Sequence, residues 1–540
     1  MKSITKIALA LLSGLLIAFS WPTYGFTPLI FIAFVPLLFL QDRIGDKNNN
    51  EKGSVFWLSF LTFLVWNSIT TWWVWNSTAA GAVAMLLLNS VFMATIFWLY
   101  HFTRKHIFFN KNGFFLLIFF FLAFEYLHYN WQLNWPWLSL GNVFSSTHSW
   151  IQWYEFTGVA GGTIWVLLSN ILVYKVIIGL KTKDKRQTIR LMISLLALLF
   201  IPLIISKIMY NTYDTRKDSD VAESNEVEVV VVQPNIDPYN EEFSLTPAEI
   251  LWRNFSLADT CITDKTRFVI SPESSIHENI WLDKIDKYYS IKKIREFSGK
   301  HNNIAYIIGA STFGMVPEGD EDDFAARKFY DADEYYYAYN TALMISDSAD
   351  IQYHQKSRLT PGVEMMPSWW FLRPIRNYAI DLGGIVGTLK RENEPTVLSF
   401  DDYNIATLIC YESVFGDYVT QFAREGANLF FVITNDGWWG DTEGHRQHLE
   451  LSKLRAIENR RSIARSANTG ISAIINERGD IVEQTSYWEP DAICSNITVN
   501  DELTFYSKHG DYLYRVATFL AIITLCFSIV LCIMNKKWYN

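Results

Sequence analysis

Within the first 210 residues, apolar runs of roughly 18 to 24 residues follow one another with few charges inside them, which leaves the chain few folds to choose from. In hydrocarbon each backbone N–H and C=O must bond within its own segment, so runs of this length become spanning helices. They fall near residues 4–21, 24–41, 54–75, 79–102, 113–130, 158–180 and 190–209, with one more at 513–534. Lys2 and Lys6 before the first run could mark a cleaved leader, but the runs that follow favour a retained helix. A multi-pass α-helical membrane bundle of about eight spans is expected, seven before a long polar stretch and one after it.

Basic loops stay in the cytoplasm, so Lys and Arg set the orientation. Lys2 and Lys6 precede the first span; Arg43, Lys47 and Lys52 follow the second; Arg104, Lys105 and Lys111 follow the fourth; Lys181, Lys183, Lys185 and Arg186 follow the sixth; Lys536 and Lys537 follow the last. The connections near residues 22, 77 and 131–157 hold no Lys or Arg. Both termini are therefore expected inside and the polar region outside. Trp131, Trp135, Trp137, Trp150 and Trp153 crowd the longest outer loop, where an aromatic belt accounts for them as well as a lipid-binding role does.

The polar region is a different material. Hydrophobic residues make up 50% of the 540, but the 19% that are charged concentrate after about residue 212, and the net charge of -9 argues against a nucleic-acid partner. Five cysteines without a CxxC pair argue against a zinc site. Cys526 and Cys532 read as small apolar residues of the last span, whereas Cys261 and Cys494 could pair if their region is exported. The chain divides into a membrane domain at 1–210, a linker at 211–226, a catalytic domain at 227–505, and a last helix with its tail at 506–540.

After the linker, short apolar runs at 228–235, 267–273, 305–311, 339–346, 404–412 and 429–436 read as buried strands. Helical stretches at 286–301 and 413–426, the second stopping at Gly426, separate them, so a layered α/β domain is expected. Three strand ends carry reactive residues: Glu273 in FVISPESS, Lys356 in YHQKSRLTPGVEMMP and Cys410 in NIATLICYES. Strand ends gather on one edge of an α/β sheet, where sites form. A thiol ahead of a helix that begins near Ser413 is expected to have a lowered pKa, because the helix dipole favours thiolate.

The order of Glu in ISPES, Lys in YHQKSRLTPGVE and Cys in LICYES resembles the Glu-Lys-Cys triad of the nitrilase (carbon-nitrogen hydrolase) superfamily. The segments TNDGWWGDTEGHRQHLELSKLRAIENRRSIARSANTGISAII and FYSKHGDYL, with AFSWPTYGFTPL, NWPWLSLGN and QWYEFTGVAGGTIW in the membrane part, are similar to the apolipoprotein N-acyltransferases over essentially the whole chain. The resemblance implies an α/β nitrilase-like αββα sandwich on the periplasmic face of a bacterial cytoplasmic membrane. It implies transfer of a fatty acyl chain from a phospholipid to the α-amine of a diacylglyceryl-cysteine on an apolipoprotein, with no cofactor and no metal. Glu273 would be the general base, Lys356 the oxyanion donor and Cys410 the thioester-forming nucleophile. Glu364, Tyr411 and Glu412 match positions that the family uses around its active site. The family often has a Trp soon after the first strand, where QPNIDPYNEEF offers Tyr239 or Phe243.

Other polar residues have plainer readings. His445 and His448 lack a third ligand at metal spacing, so packing or hydrogen bonding is expected of them. Arg455, Glu458, Arg461 and Arg465 are expected to form ion pairs along one helix. Trp369, Trp370, Trp438 and Trp439 suit core packing and an apolar lid equally. A membrane-anchored amidohydrolase would use the same triad, but an anchor needs one helix rather than eight. A transporter would need more buried charge than Glu125.

Overall fold

The computed structural model describes residues 2–45, 54–109, 111–182, 184–217, 225–242, 244–368 and 388–537. Phe243, Trp369, Trp370 and the topology-setting Lys47, Lys52 and Lys183 lie outside them, as do the side chains of Lys536 and Lys537. Contacts divide the chain into two compact units, Met1–Trp131 with Trp135–Tyr210 and His509–Asn540, and Gln132–Asn134 with Asn211–Lys508.

The first unit is helical. Five segments are long and apolar enough to cross a membrane: Thr27–Ile44, Ala79–Phe108, Tyr154–Thr182, Lys185–Tyr213 and Tyr512–Met534. The remaining three expected spans form shorter apolar helices, Ser3–Ala18, Val55–Thr71 and Leu116–Asn130. Between apolar helices, packing and internal polar bonds supply the specificity that water would supply elsewhere. Gly14 lets two backbones meet, since a Cβ there would lie 2.5 Å from the Thr62 carbonyl oxygen. Thr62 Oγ1 donates to Ala10 O at 2.9 Å, and Asn89 Nδ2 to Asn67 Oδ1 at 2.6 Å. Glu125 accepts from Leu140 N at 2.7 Å, from Thr163 Oγ1 at 2.8 Å and from Tyr514 Oη at 3.0 Å, which ties four segments together. It is saturated, as a buried acid in a structural role should be.

The second unit is a two-sheet sandwich. One sheet runs β14-β1-β2-β4-β6-β5, with β3 paired to β4 and β7 to β6; the other runs β13-β12-β11-β10-β9-β8. The first sheet contains β1 (Glu226–Gln233), β2 (Thr266–Ile270), β3 (Ile276–Trp281), β4 (Ala305–Met315), β5 (Arg327–Lys328), β6 (Tyr335–Ile345), β7 (Gln352–Gln355) and β14 (Asp491–Thr498). The second contains β8 (Val397–Phe400), β9 (Tyr403–Ile409), β10 (Leu429–Thr434), β11 (Ile463–Ala467), β12 (Ala473–Ile475) and β13 (Ile481–Gln484). Val229, Phe268 and Ile307 of one sheet meet Ile409, Phe431 and Ile433 of the other in a shared core. Alternate residues of the same strands, Val230, Val269 and Tyr306, pack outward on Leu251, Ile294 and Phe297 of helices Pro247–Ala258 and Tyr289–Lys300. Burial on both faces is why these strands read as continuous apolar runs.

The six predicted strands and the two predicted helices are present, with one local correction. The chain after β9 makes a 3₁₀ turn, Cys410–Val414, before helix Gly416–Arg424 begins. That helix does stop ahead of Gly426, whose φ of +96° is a left-handed conformation that favours glycine.

Candidate active site

Each reactive residue follows a strand: Glu273 comes after β2, Lys356 after β7 and Cys410 after β9. Because β2 and β9 belong to opposite sheets, the site forms where the strand ends of both sheets converge. Gly309 on β4 permits the approach of Glu273, since a Cβ there would stand 2.6 Å from the Glu273 Cα. Cys410 has a φ of +49°, a left-handed conformation uncommon for a residue with a Cβ. Such strain is held by the surrounding structure and is characteristic of functional positions.

Lys356 is 2% exposed and joins two carboxylates, with Nζ 3.0 Å from Glu273 Oε1 and 2.8 Å from Glu364 Oε1. Asn340 Nδ2 donates to the same two oxygens at 2.8 and 3.1 Å. Asn435 N donates to Glu273 Oε2 at 3.2 Å, and Thr360 N to Glu364 Oε2 at 2.8 Å. Burial would lower the ammonium pKa, but Glu273 and Glu364 outweigh it and hold the value well above the ordinary lysine range. Lys356 is therefore a fixed cation, and its ammonium has a third hydrogen beyond the two given to Glu273 and Glu364.

The thiol departs from expectation. Burial and the Glu273 charge push the Cys410 pKa well up, against a smaller opposing pull from Lys356. The expected dipole effect is absent for a local reason: a five-residue 3₁₀ turn replaces the helix start, and a carboxylate stands near the sulfur. Cys410 thus rests as a thiol.

Behind it lies a second ionic group. Asp436 accepts from Thr434 Oγ1 at 2.7 Å, pairs with His448 Nδ1 at 2.9 Å and binds Arg465 NH2 at 2.5 Å. His448 Nε2 lies 3.2 Å from the Cys410 carbonyl oxygen and 3.0 Å from Ser413 Oγ. Ligand atoms of Cys410, Asp436 and His448 lie within 4.8 Å of one another, a span that a metal could bridge. Arg465 already neutralises the carboxylate, so the donor set fits a support for the Cys410 turn better than a cation site. The hydrogen-bonding role expected for His448 is met. His445 also bonds, with Nδ1 3.2 Å from Gly440 O, and its ring stacks on Tyr487. The expected ion-pair ladder is corrected: Arg455 pairs with Glu458 at 3.1 Å, but helix Glu443–Asn459 ends before Arg461 and Arg465. Arg461 caps Ala427 O and Glu502 O instead, and Arg465 belongs to β11.

Glu412 is tied down completely. It accepts from Ile409 N at 2.8 Å, Ser357 N at 2.7 Å and Tyr418 Oη at 3.0 Å, and meets His354 Nε2 at 3.2 Å. It therefore clamps the Lys356 loop to the Cys410 turn. Tyr411 donates to Asn134 O at 3.1 Å and sets its ring edge-on to Phe415. Tyr239 is exposed, with its ring against Trp438, while Trp439 lies edge-on to His448, and both tryptophans are half-buried.

The carbon-nitrogen hydrolase family matches residues 178–502, more than half of the chain. The chain belongs to the carbon-nitrogen hydrolase family. Residues 13–172 match the apolipoprotein N-acyltransferase N-terminal domain. An apolipoprotein N-acyltransferase of Chlorobaculum tepidum is 27% identical and covers 95% of this chain and 94% of its own. One of Geobacter metallireducens is 25% identical over 93% of this chain and 91% of its own. Apolipoprotein N-acyltransferase 1 of Treponema denticola is 23% identical over 97% and 96%.

Within the carbon-nitrogen hydrolase domain, sequence reasoning missed Glu242. Its side chain accepts from Asn435 Nδ2 at 3.0 Å and lies 3.5 Å from His277 Nε2. Burial raises its pKa to about 8, with Glu273 and Asp237 pushing the same way. Asn340 and Asn435 were missed as well. Nothing local distinguishes them from ordinary strand and loop asparagines.

Proposed function

We propose that this chain is an apolipoprotein N-acyltransferase of a bacterial cytoplasmic membrane, moving an acyl chain from a phospholipid to the N-terminal amine of a diacylglyceryl-modified apolipoprotein. The observation that carries this reading is the union, in one chain, of an apolipoprotein N-acyltransferase N-terminal domain with a carbon-nitrogen hydrolase domain. Full-length relatives of that name support it.

In the first half-reaction Glu273 takes the Cys410 proton as Sγ attacks the ester carbonyl carbon. Lys356 stabilises the oxyanion, a contribution of about 3 kcal/mol for one donor. The tetrahedral species collapses, the glycerol oxygen leaves with the proton held by Glu273, and an acyl thioester remains on Cys410. In the second half the neutral amine attacks the thioester, Glu273 accepts its proton, and the amide forms as the thiolate departs and is reprotonated. Glu364 holds Lys356 alongside Glu273, while Tyr411 and Glu412 hold the turn and the loop that carry Cys410 and Lys356. Residues 227–505 face the periplasm, and reporter fusions after Lys185 and after Asn225 should read opposite sides.

The deciding experiment gives purified protein a phospholipid alone. Intact-mass analysis should show one fatty acyl group on Cys410 that persists, then disappears when a diacylglyceryl-cysteine peptide is added. Steady fatty acid release without any amine would replace this reading with a hydrolase.

A further inference from the structure

Two cysteines outside the catalytic cluster are neighbours in space although 233 positions separate them. Cys261 lies in the turn after helix Pro247–Ala258, with its N donating to Ala258 O at 3.0 Å. Cys494 lies on β14, in register with Val230 of β1. Both are unbridged thiols in this structure, half-buried and packed against the apolar layer under that helix. Each thiol reaches onto the other's segment: Cys494 Sγ donates to Cys261 O at 3.2 Å, and Cys261 Sγ lies 3.7 Å from Ala492 O. The two thiol side chains also interact with each other directly.

β14 pairs antiparallel with β1 at the edge of its sheet, and after it the chain leaves towards the C-terminal helix. An edge strand has a ladder on one side only, so a covalent tie to the neighbouring helix would restrain it. We propose that Cys261 and Cys494 are joined by a disulfide that staples the end of helix Pro247–Ala258 to β14. The proposal rests on the reading that places this domain outside the cytoplasm, where disulfides persist. Formation is an exchange with a disulfide-donating oxidoreductase. One thiolate attacks the donor disulfide, forming a mixed disulfide, and the second then displaces the donor sulfur. Two electrons and two protons pass to the donor, which leaves as a dithiol. Burial, Glu228 and Cys261 push the Cys494 thiol up to about 11, so unassisted attack at neutral pH is slow and the finished bond is not readily exchanged.

The test uses the full chain carrying Cys410→Ala, isolated from membranes with N-ethylmaleimide present throughout and digested without reduction. The expected result is a linked peptide pair spanning Cys261 and Cys494, lighter than the two thiol peptides by two hydrogens and lost on treatment with dithiothreitol. Maleimide on both residues overturns the proposal. A second arm then identifies the reason, using reduced, unlabelled protein exposed to oxidised glutathione. A link formed there but missing in cells means that the domain does not face an oxidising compartment, so the topology fails with the staple. No link in either arm means that the pairing itself is wrong, and the transferase reading stands untouched.

Discussion

Glu273 and Glu412 are both buried carboxylates near Cys410, and the difference between them lies in their partners. Glu412 takes its bonds from the backbone of two loops, from Tyr418 and from His354. Burial raises its pKa, but His354 and the N–H donors outweigh burial and hold it below the usual carboxylate range. Glu273 shares one oxygen with Lys356 and Asn340, and its other oxygen receives one backbone N–H at 3.2 Å. An acceptor committed to backbone donors fixes geometry. One bonded to a fixed cation and a side-chain amide, and set near a thiol, can exchange a proton with that thiol.

The largest effect is expected on the Glu273 side. Glu273→Gln should slow thioester formation by about 10³-fold, in the range of a lost general base, while the melting temperature stays close to wild type. A rate within threefold of wild type would remove Glu273 from the chemistry. Lys356→Ala should be as slow and also less stable, by about 3–5 kcal/mol, because it leaves Glu273 and Glu364 buried without their counter-charge. Denaturant unfolding of the two variants side by side tests this contrast.

Glu412→Gln should invert the pattern, losing about 2 kcal/mol of stability while the folded fraction keeps its rate within about tenfold. The pH dependence has a definite sign. A depressed folded pKa gives stabilisation that is present above the unfolded value near 4.3 and lost as pH falls through the folded value. The variant should therefore lose less stability on acidification than wild type.

The smallest change is expected for Glu242→Gln, less than about threefold at pH 7, where both side chains are largely neutral. As pH rises through about 8, wild-type Glu242 ionises beside Glu273 and opposes formation of the Cys410 thiolate. Single-turnover thioester formation should fall over that range in wild type and stay level in the variant. An unchanged alkaline limb in the variant would uncouple Glu242 from Glu273.

The sequence was most readable where information is local. Runs such as EVVVVQPN and LFFVITND form β1 and β10 because both faces are buried, and a strand buried on both faces shows as an unbroken apolar run. Glu273 and Cys410 stood out because each follows such a run, and Lys356, which follows the polar strand QYHQ, joined them because the order resembles a known triad. The Cys410 turn was less readable, since whether the five residues after a strand form a 3₁₀ turn or a helix depends on what packs above them. Glu412 illustrates the same limit: its position next to the nucleophile suggested a supporting residue, but only its bonds to Ser357 and Ile409 show that it acts as a clamp.

By itself the sequence determined the division into an apolar helical part and an α/β part, the strand ends that carry Glu273, Lys356 and Cys410, and the glycine that stops the helix after Cys410. Periodicity and strand-end position are properties of neighbouring residues, so one chain suffices to see them. Only the tertiary structure decided how each ionisable group is used. Glu273 meets Lys356 across 83 positions and Asn435 across 162, and Gly309 of another strand gives it room. Proton affinity follows from burial and from charges within a few ångströms, and neither is defined until distant segments pack together.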